Sequence, residues 1–144
     1  MGQRLHLIIV DFLQLMGSRQ NLQNRHLEIS YVMKRLCFMA KSVGCPVIIV
    51  SQLGKDLEKR TNRRPTLGDL KESGDIRTQA DNILFLYAPD STPTTYMVEC
   101  FLGKGKDQER FSTWLEFNGN FQEFRPGTEP GKSTSMSTGQ DMDL

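Results

Sequence analysis

An unbroken aliphatic run, Leu7, Ile8, Ile9 and Val10, leads directly into Asp11. Such a run reads as a strand buried in a parallel sheet, and a carboxylate is out of place inside one. At the strand's carboxyl end the same carboxylate stands where open α/β sheets bind ligands, and there it can hold a divalent cation on phosphate oxygens. The competing reading is an aspartate that only opens the following loop. A second aliphatic run, Val47 to Val50, ends in Ser51 and Gln52. Gln52 at that end can hydrogen-bond a phosphate oxygen or a water, or it can simply begin a loop. Between Lys55 and Arg64 the cations Lys55, Lys59, Arg60, Arg63 and Arg64 outweigh Asp56 and Glu58 by three charges. This reads as a mobile basic loop suited to phosphate contacts that are salt-sensitive and indifferent to base sequence, or as an ordinary solvated face. Gly103-Lys104-Gly105-Lys106 offers two ammonium groups on a pliable backbone, able to neutralise charge on a phosphoryl group or to serve as a basic turn.

The elements that must position these residues follow from periodicity. Residues 5–10 form the first strand. Leu22, Ile29, Val32, Met33, Leu36, Met39, Ala40 and Val43 recur at three and four residues, an amphipathic helix stopped by Gly44. Residues 47–50 form the second strand. Strand, helix and strand with short links make a right-handed crossover, so the two strands run parallel and bring Asp11 and Gln52 to one crevice. Thr66 and Asp69 have capping-box spacing for a short helix over 67–72, broken at Ser73-Gly74-Asp75 and followed by one turn over 76–80. Strands follow over 82–88, 96–102 and 112–117, and Asn118-Gly119 predicts a tight hairpin into 120–124. The fold class is therefore α/β, a parallel sheet extended by antiparallel strands and a C-terminal hairpin. Residues 1–125 form the folded domain and residues 126–144 a disordered polar tail.

Composition narrows the classes. The 144 residues carry a net charge of +1, so any nucleic-acid surface must be local. Three separated cysteines and two isolated histidines argue against a disulfide framework and against a His/Cys metal centre. The chain lacks an apolar run long enough to span a bilayer and a signal-peptide pattern, which points away from the membrane and towards a cytoplasmic protein. Residues 127–133 read G-T-E-P-G-K-S, near the phosphate-cradling G-x-x-x-x-G-K-[ST]. One spacer residue is missing, Pro126 stands where the first glycine should be, and residues 134–144 show no helical period after it.

Four blocks carry a family resemblance: LIIVDFLQLM (residues 7–16), CPVIIVSQL (45–53), RPTLGDLKESGDIRTQAD (64–81), and KGK followed by WLEFNGNFQEF (114–124). Together they resemble the C-terminal motor domain of DnaB-type replicative DNA helicases over residues 5–125. The resemblance implies a RecA-like P-loop NTPase core lacking its phosphate-loop segment, with ATP and Mg²⁺ as cofactors. It implies that Asp11 is the Mg²⁺-site acid and that Gln52 senses the γ-phosphate. It implies that Lys59, Arg60, Arg63 and Arg64 lie on a loop facing a central channel, and that Lys71, Glu72 and Gly74 belong to a turn gripping single-stranded DNA. Lys104 and Lys106 match the K-x-R that reaches a neighbouring subunit's ATP. The implied partners are single-stranded DNA, a homo-hexamer or neighbouring helicase subunit, and primase or a helicase loader. The implied setting is a bacterial or phage-type cytoplasm or an organellar matrix.

Lys replaces the family's Arg at Lys71 and at Lys106, which keeps the charge but loses the bidentate fork. The phosphate loop and catalytic glutamate lie upstream of these blocks in the family. The expectation is therefore part of an ATP-dependent helicase that does not hydrolyse ATP by itself. The alternative is a non-catalytic module that binds single strands or docks on a full-length helicase.

Overall fold

The computed structural model describes residues 4–18, 22, 24–70 and 74–131. They divide into two compact units, Met1–Leu84 with Leu102–Arg110, and Phe85–Phe101 with Phe111–Leu144.

In the first unit, strands β1 (Ile8–Val10) and β2 (Val47–Ile49) pair in parallel, with Ile9 opposite Ile48. Helix α1 (Arg25–Val43) makes the crossover between them. It begins at Arg25 rather than at Leu22, because the Asn24 side chain accepts a bond from the His26 amide at 2.9 Å and so fixes the first turn. It ends as the sequence indicates, with Gly44 at φ 64°, a left-handed conformation that glycine takes without strain. Ile29, Val32, Met33 and Leu36 form its buried stripe, and Leu13, Ile29 and Met33 are the largest fully buried side chains. Helix α1 packs on β2 and on the short helix α2 (Gly74–Gln79), which buries Ile76. Gly74 thus opens a helix instead of breaking one.

The Thr66–Asp69 capping box forms as its spacing predicts, but it starts a single 3₁₀ turn, Leu67–Asp69, that leaves the helical path at Leu70. The remainder of the helix expected to residue 72 lies outside the described residues. The basic segment carries a 3₁₀ turn over Lys55–Lys59. No helix among the described residues is long and apolar enough to cross a membrane.

A four-stranded sheet has the order β3 (Ile83–Tyr87), β4 (Thr95–Lys104), β5 (Ser112–Asn118), β6 (Glu123–Pro126); all of it but residues 83–84 and 102–104 belongs to the second unit. Strands β4, β5 and β6 are antiparallel neighbours. Tyr96, Phe117 and Phe124 stand opposite one another across the three strands, with ring centroids 5.2 and 4.8 Å apart. Such cross-strand aromatic pairs stabilise a sheet beyond their area. The Asn-Gly pair does not close a two-residue hairpin: Asn118 pairs with Glu123, leaving a four-residue loop. The Gly119 amide instead continues the β4–β5 ladder, donating to the Thr94 carbonyl at 2.8 Å, where a Cβ would stand 2.9 Å from that oxygen. Gln122 takes the positive φ of 52° and ties its side chain back to the Gly119 carbonyl at 2.9 Å.

Strand β6 runs on through Pro126, and the Gly127 amide donates to the Trp114 carbonyl at 3.0 Å. Most of the tail predicted from residue 126 lies outside the described residues.

Candidate functional site

Asp11 follows β1 directly and Gln52 lies three residues beyond the end of β2, at the same end of two parallel neighbours. Both are exposed. The ladder continues past the assigned strands: the Val50 amide donates to the Val10 carbonyl and the Leu13 amide to the Val50 carbonyl, each at 2.9 Å. One residue not singled out in the sequence joins the two strand ends. Gln14 donates from Nε2 to Ser51 Oγ at 3.0 Å and to the Gln52 carbonyl at 3.4 Å, while its Oε1 accepts the Gln52 amide at 3.2 Å. The amide side chain has a donor and an acceptor, so it can hold both polarities of the Gln52 backbone at once. Gln14 sits in the 3₁₀ turn Leu13–Leu15, three residues after the strand-end acid. Arg25 in turn donates to the Gln14 carbonyl at 2.5 Å and to the Met16 carbonyl at 3.2 Å, and pairs with Glu28. The Ser18 amide and Arg25 hold the Glu28 carboxyl below the usual range against the opposing effect of burial.

The basic segment is fastened at its base and at its middle. The Gly54 amide donates to the Asp69 carbonyl at 3.0 Å. Asp69 is buried, and its Oδ2 accepts the Thr66 amide at 2.7 Å, the Thr66 hydroxyl at 2.8 Å and Arg60 Nη2 at 2.8 Å. Burial alone would raise the Asp69 pKa; the two Thr66 donors and Arg60 outweigh it and hold the pKa below its ordinary value. Arg60 is thus committed to a carboxylate, while Lys59 pairs loosely with Asp56 at 3.3 Å on the surface. Arg63 and Arg64 are exposed. Lys71 and Glu72 lie outside the described residues, and Gly74 is exposed at the head of α2.

Lys104 is the last residue of β4 rather than part of a loop. Its Nζ donates to the carbonyls of Arg77 at 2.9 Å, Thr78 at 3.4 Å and Ala80 at 2.7 Å. A helix of six residues leaves its last carbonyls without intrahelical partners, and a cation there also complements the helix dipole. Lys106 stands clear of that cluster. Its backbone amide donates to the Asp81 carbonyl at 3.0 Å and to Asn82 Oδ1 at 3.3 Å, and its exposed ammonium lies 3.8 Å from Asp81 Oδ1. Between them, Gly105 allows a close approach: a Cβ would meet Leu102 Cδ2 at 2.6 Å. The structure therefore ties Gln14 to Ser51 and Gln52, at the strand ends beside Asp11, and ties the lysine loop to residues 77–82.

Chemically, these strand ends offer one exposed carboxylate and one exposed glutamine side chain. Among the described residues no group of three His, Cys, Asp or Glu could hold a metal ion by itself. One carboxylate fits Mg²⁺ that arrives with phosphate and water ligands, which is the usual way proteins bind it. The phosphate-loop look-alike is differently employed. Gly127 lies against β5, where a Cβ would collide with Met97 Cε and fall 2.8 Å from the Glu116 amide nitrogen and 2.9 Å from the Leu115 carbonyl carbon.

Comparison with known proteins bears on the family and the fold. The model of the DnaB-like helicase C-terminal domain matches residues 1–126. A probable plasmid replicative DNA helicase of Chlamydia psittaci is 38% identical over 120 residues, covering 81% of this chain and 26% of that one. The replicative DNA helicase DnaB of Haemophilus influenzae is 38% identical over 124 residues, covering 83% and 26%. One solved structure, described as an ATPase domain, superposes with a TM-score of 0.78 at 30% identity, over 88% of this chain and 46% of that one. A DnaB-like replicative helicase, whose structure was described with its interactions with primase, gives 0.77 at 32% identity over 85% and 31%. The chain spans about a quarter of the length of these curated relatives. Its α/β architecture is accordingly the RecA-like one of DnaB-type ATPase domains, and the chain belongs to the DnaB-like helicase C-terminal domain family.

Proposed function

We propose that the chain supplies the second half of the ATP-driven motor of a replicative DNA helicase. The observation that supports this reading is the Gln14 tie, which holds the segments after β1 and β2 together, with Asp11 and Gln52 at the same end of the parallel pair. Bound there, Mg²⁺ would neutralise phosphate charge on ATP. Asp11 is the residue that would hold it, and Gln52 the one that would meet the terminal phosphate or the attacking water. Lys106 is the group left exposed to approach a neighbouring subunit's nucleotide, with Lys104 fixing the loop behind it. Lys59, Arg63 and Arg64, with the turn containing Lys71, Glu72 and Gly74, would follow the backbone of single-stranded DNA. Arg60 contributes mainly by holding its loop to Asp69. The assembly is a hexameric ring in a bacterial or phage-type cytoplasm, and its partners include primase.

A half-motor should bind single strands without turning over ATP. Filter binding at low ionic strength should detect weak affinity for single-stranded DNA that collapses as salt rises. Robust Mg²⁺-dependent ATP hydrolysis by the purified chain alone would contradict the half-motor reading. Absence of single-strand binding at low salt would remove its DNA-handling part.

A further inference from the structure

Helix α1 carries two apolar stripes. Ile29, Val32, Met33 and Leu36 form the buried one. Successive residues turn by about 100°, so Leu27, Tyr31 and Phe38 fall on the opposite side of the axis, away from the core. Phe38 is 64% exposed and Leu27 53%, with Tyr31 half-buried between them. A single exposed apolar residue is ordinary, but these three line up along about 16 Å of helix. Cations border the line on both sides: Lys34 and Lys41 on one, Arg35 on the other, all exposed. The Arg35 guanidinium carbon lies 5.9 Å from the centroid of the Phe38 ring, a cation–π contact that keeps its planar fork beside the stripe. Lys34 lies 3.7 Å from Asp75 on α2, yet its side chain is still 60% exposed. The helix has one acid, Glu28, and it is engaged by Arg25 and by the Ser18 amide.

We infer that the outer face of α1 is a docking surface for an acidic amphipathic helix of a partner protein. Such a helix lays its apolar stripe along Leu27, Tyr31 and Phe38 and sets Asp or Glu side chains, which flank that stripe, against Lys34, Arg35 and Lys41. Charge complementarity selects the occupant: the face is positive at both borders, and its helix offers no uncommitted carboxylate to repel an acid. Spacing selects a helix. Apolar anchors four and eleven residues apart on one side of a helix match the stripe of another laid along it. A nucleic acid strand would also answer the cations, but the spacing suits it poorly. Leu27 gives a base nothing to stack on, and Tyr31 and Phe38 are two turns apart, about 10 Å, whereas bases stacked in a strand lie about 3.4 Å apart. None of these residues belongs to the strand ends at Asp11 and Gln52, to the basic segment or to the lysine loop, so the surface is separate from the proposed motor site.

The probe is a synthetic amphipathic peptide with leucine at heptad positions a and d and glutamate at e and g, whose own charges oppose self-pairing. A second peptide carries lysine in place of every glutamate. Each is labelled with fluorescein and titrated with the 144-residue chain while anisotropy is followed. The glutamate peptide should bind saturably and the lysine peptide should not. Phe38→Gln should weaken binding on the order of 10-fold, as loss of a central aromatic anchor does. Arg35→Glu with Lys41→Glu should abolish binding of the glutamate peptide and create binding of the lysine peptide, a reversal that mere loss of structure cannot produce. All three positions are exposed, so the variants should keep the parent's far-ultraviolet circular dichroism. Absence of saturable binding, equal binding of both peptides, or binding indifferent to Phe38→Gln would overturn the proposal. So would a labelled oligothymidylate whose binding is lost in Phe38→Gln, which would make a nucleic acid the occupant. Self-association of the chain abolished by the same change would overturn it in favour of a second copy.

Discussion

Asp69→Asn removes one charge and almost no volume from the most densely bonded carboxylate of the first unit. Asp69 Oδ2 accepts three bonds, from the Thr66 amide, the Thr66 hydroxyl and Arg60. An asparagine oxygen can keep the same three partners but only as neutral acceptors. A hydrogen bond to a charged group contributes about 1.5–3 kcal/mol net, and a neutral one about 0.5–1.5. The difference is about 1 kcal/mol per bond. Three bonds converging on one oxygen are not additive, so the expected loss is about 2 kcal/mol at neutral pH. Asp69→Ala, which also orphans the Thr66 amide, should lose about 3 kcal/mol. Helices α1 and α2 both belong to the first unit, so ellipticity at 222 nm in a urea titration reads its unfolding. Trp114, the chain's one tryptophan, lies in the second unit, and its emission is the internal control. The pH dependence gives the sign. The folded pKa of Asp69 lies below its ordinary 3.8, so its contribution is complete above the unfolded value and is lost as pH falls through the folded one. The gap between parent and Asp69→Asn should be constant from neutral pH to about 5 and close in more acid solution. An Asn variant within about 0.5 kcal/mol of the parent at neutral pH would refute the reasoning, as would a gap that persists once Asp69 is protonated.

Three further outcomes can be measured on the same chain. Lys104→Met should lower the stability of the first unit by about 1–2 kcal/mol, with partial recovery in Lys104→Arg; unchanged amide exchange over residues 74–80 would show that the carbonyl cluster does not need the cation. Gly127→Ala should destabilise the second unit by about 1–3 kcal/mol in a Trp114 emission melt, since two of the three atoms its methyl would strike are backbone; a neutral result would mean that the segment after β6 is not held against β5. Burial raises the Cys100 thiol pKa above 9.0, so its alkylation should accelerate only in alkaline solution beyond that value; fast labelling at neutral pH would contradict the burial of its sulfur.

Periodicity and capping chemistry carried much of the fold. The α1 stripe, its Gly44 stop and the parallel pairing across it were legible because each rests on a local rule repeated several times. The Thr66–Asp69 box was legible for the same reason, its two bonds being fixed by spacing alone. The Asn118-Gly119 hairpin was misread because a ladder bond from Gly119 to Thr94 took precedence over the turn preference of the dipeptide. The strand-end placement of Asp11 and Gln52 was visible in two aliphatic runs, whereas Gln14 was not. Its importance arises from a partner 38 residues away, which no local pattern encodes. Arg60 shows the converse. As one cation among five it looked available, and only the fold brings Asp69 to it.

These bonds also bear on how strand ends and DNA-facing segments could act together. Gln14 holds the Gln52 backbone, and two residues later the Gly54 amide holds the Asp69 carbonyl. Asp69 in turn binds Arg60, which lies between them in the basic segment, so the segment is closed at its middle and at its base. A displacement of Gln52 would therefore be felt at Gly54 with only Leu53 between, and at Asp69 through one hydrogen bond. Beyond residues 71–73, α2 is held at its far end by Lys104, the last residue of β4. Static bonds of this kind establish connection and not coupling, which requires that two sites share a free-energy term. A double-mutant cycle between Gln14→Met and Asp69→Asn supplies that term. The two side chains make no bond to each other, so simple additivity is expected if the segments move independently. An interaction energy above about 0.5 kcal/mol would mean that the strand ends and the basic segment respond as one element.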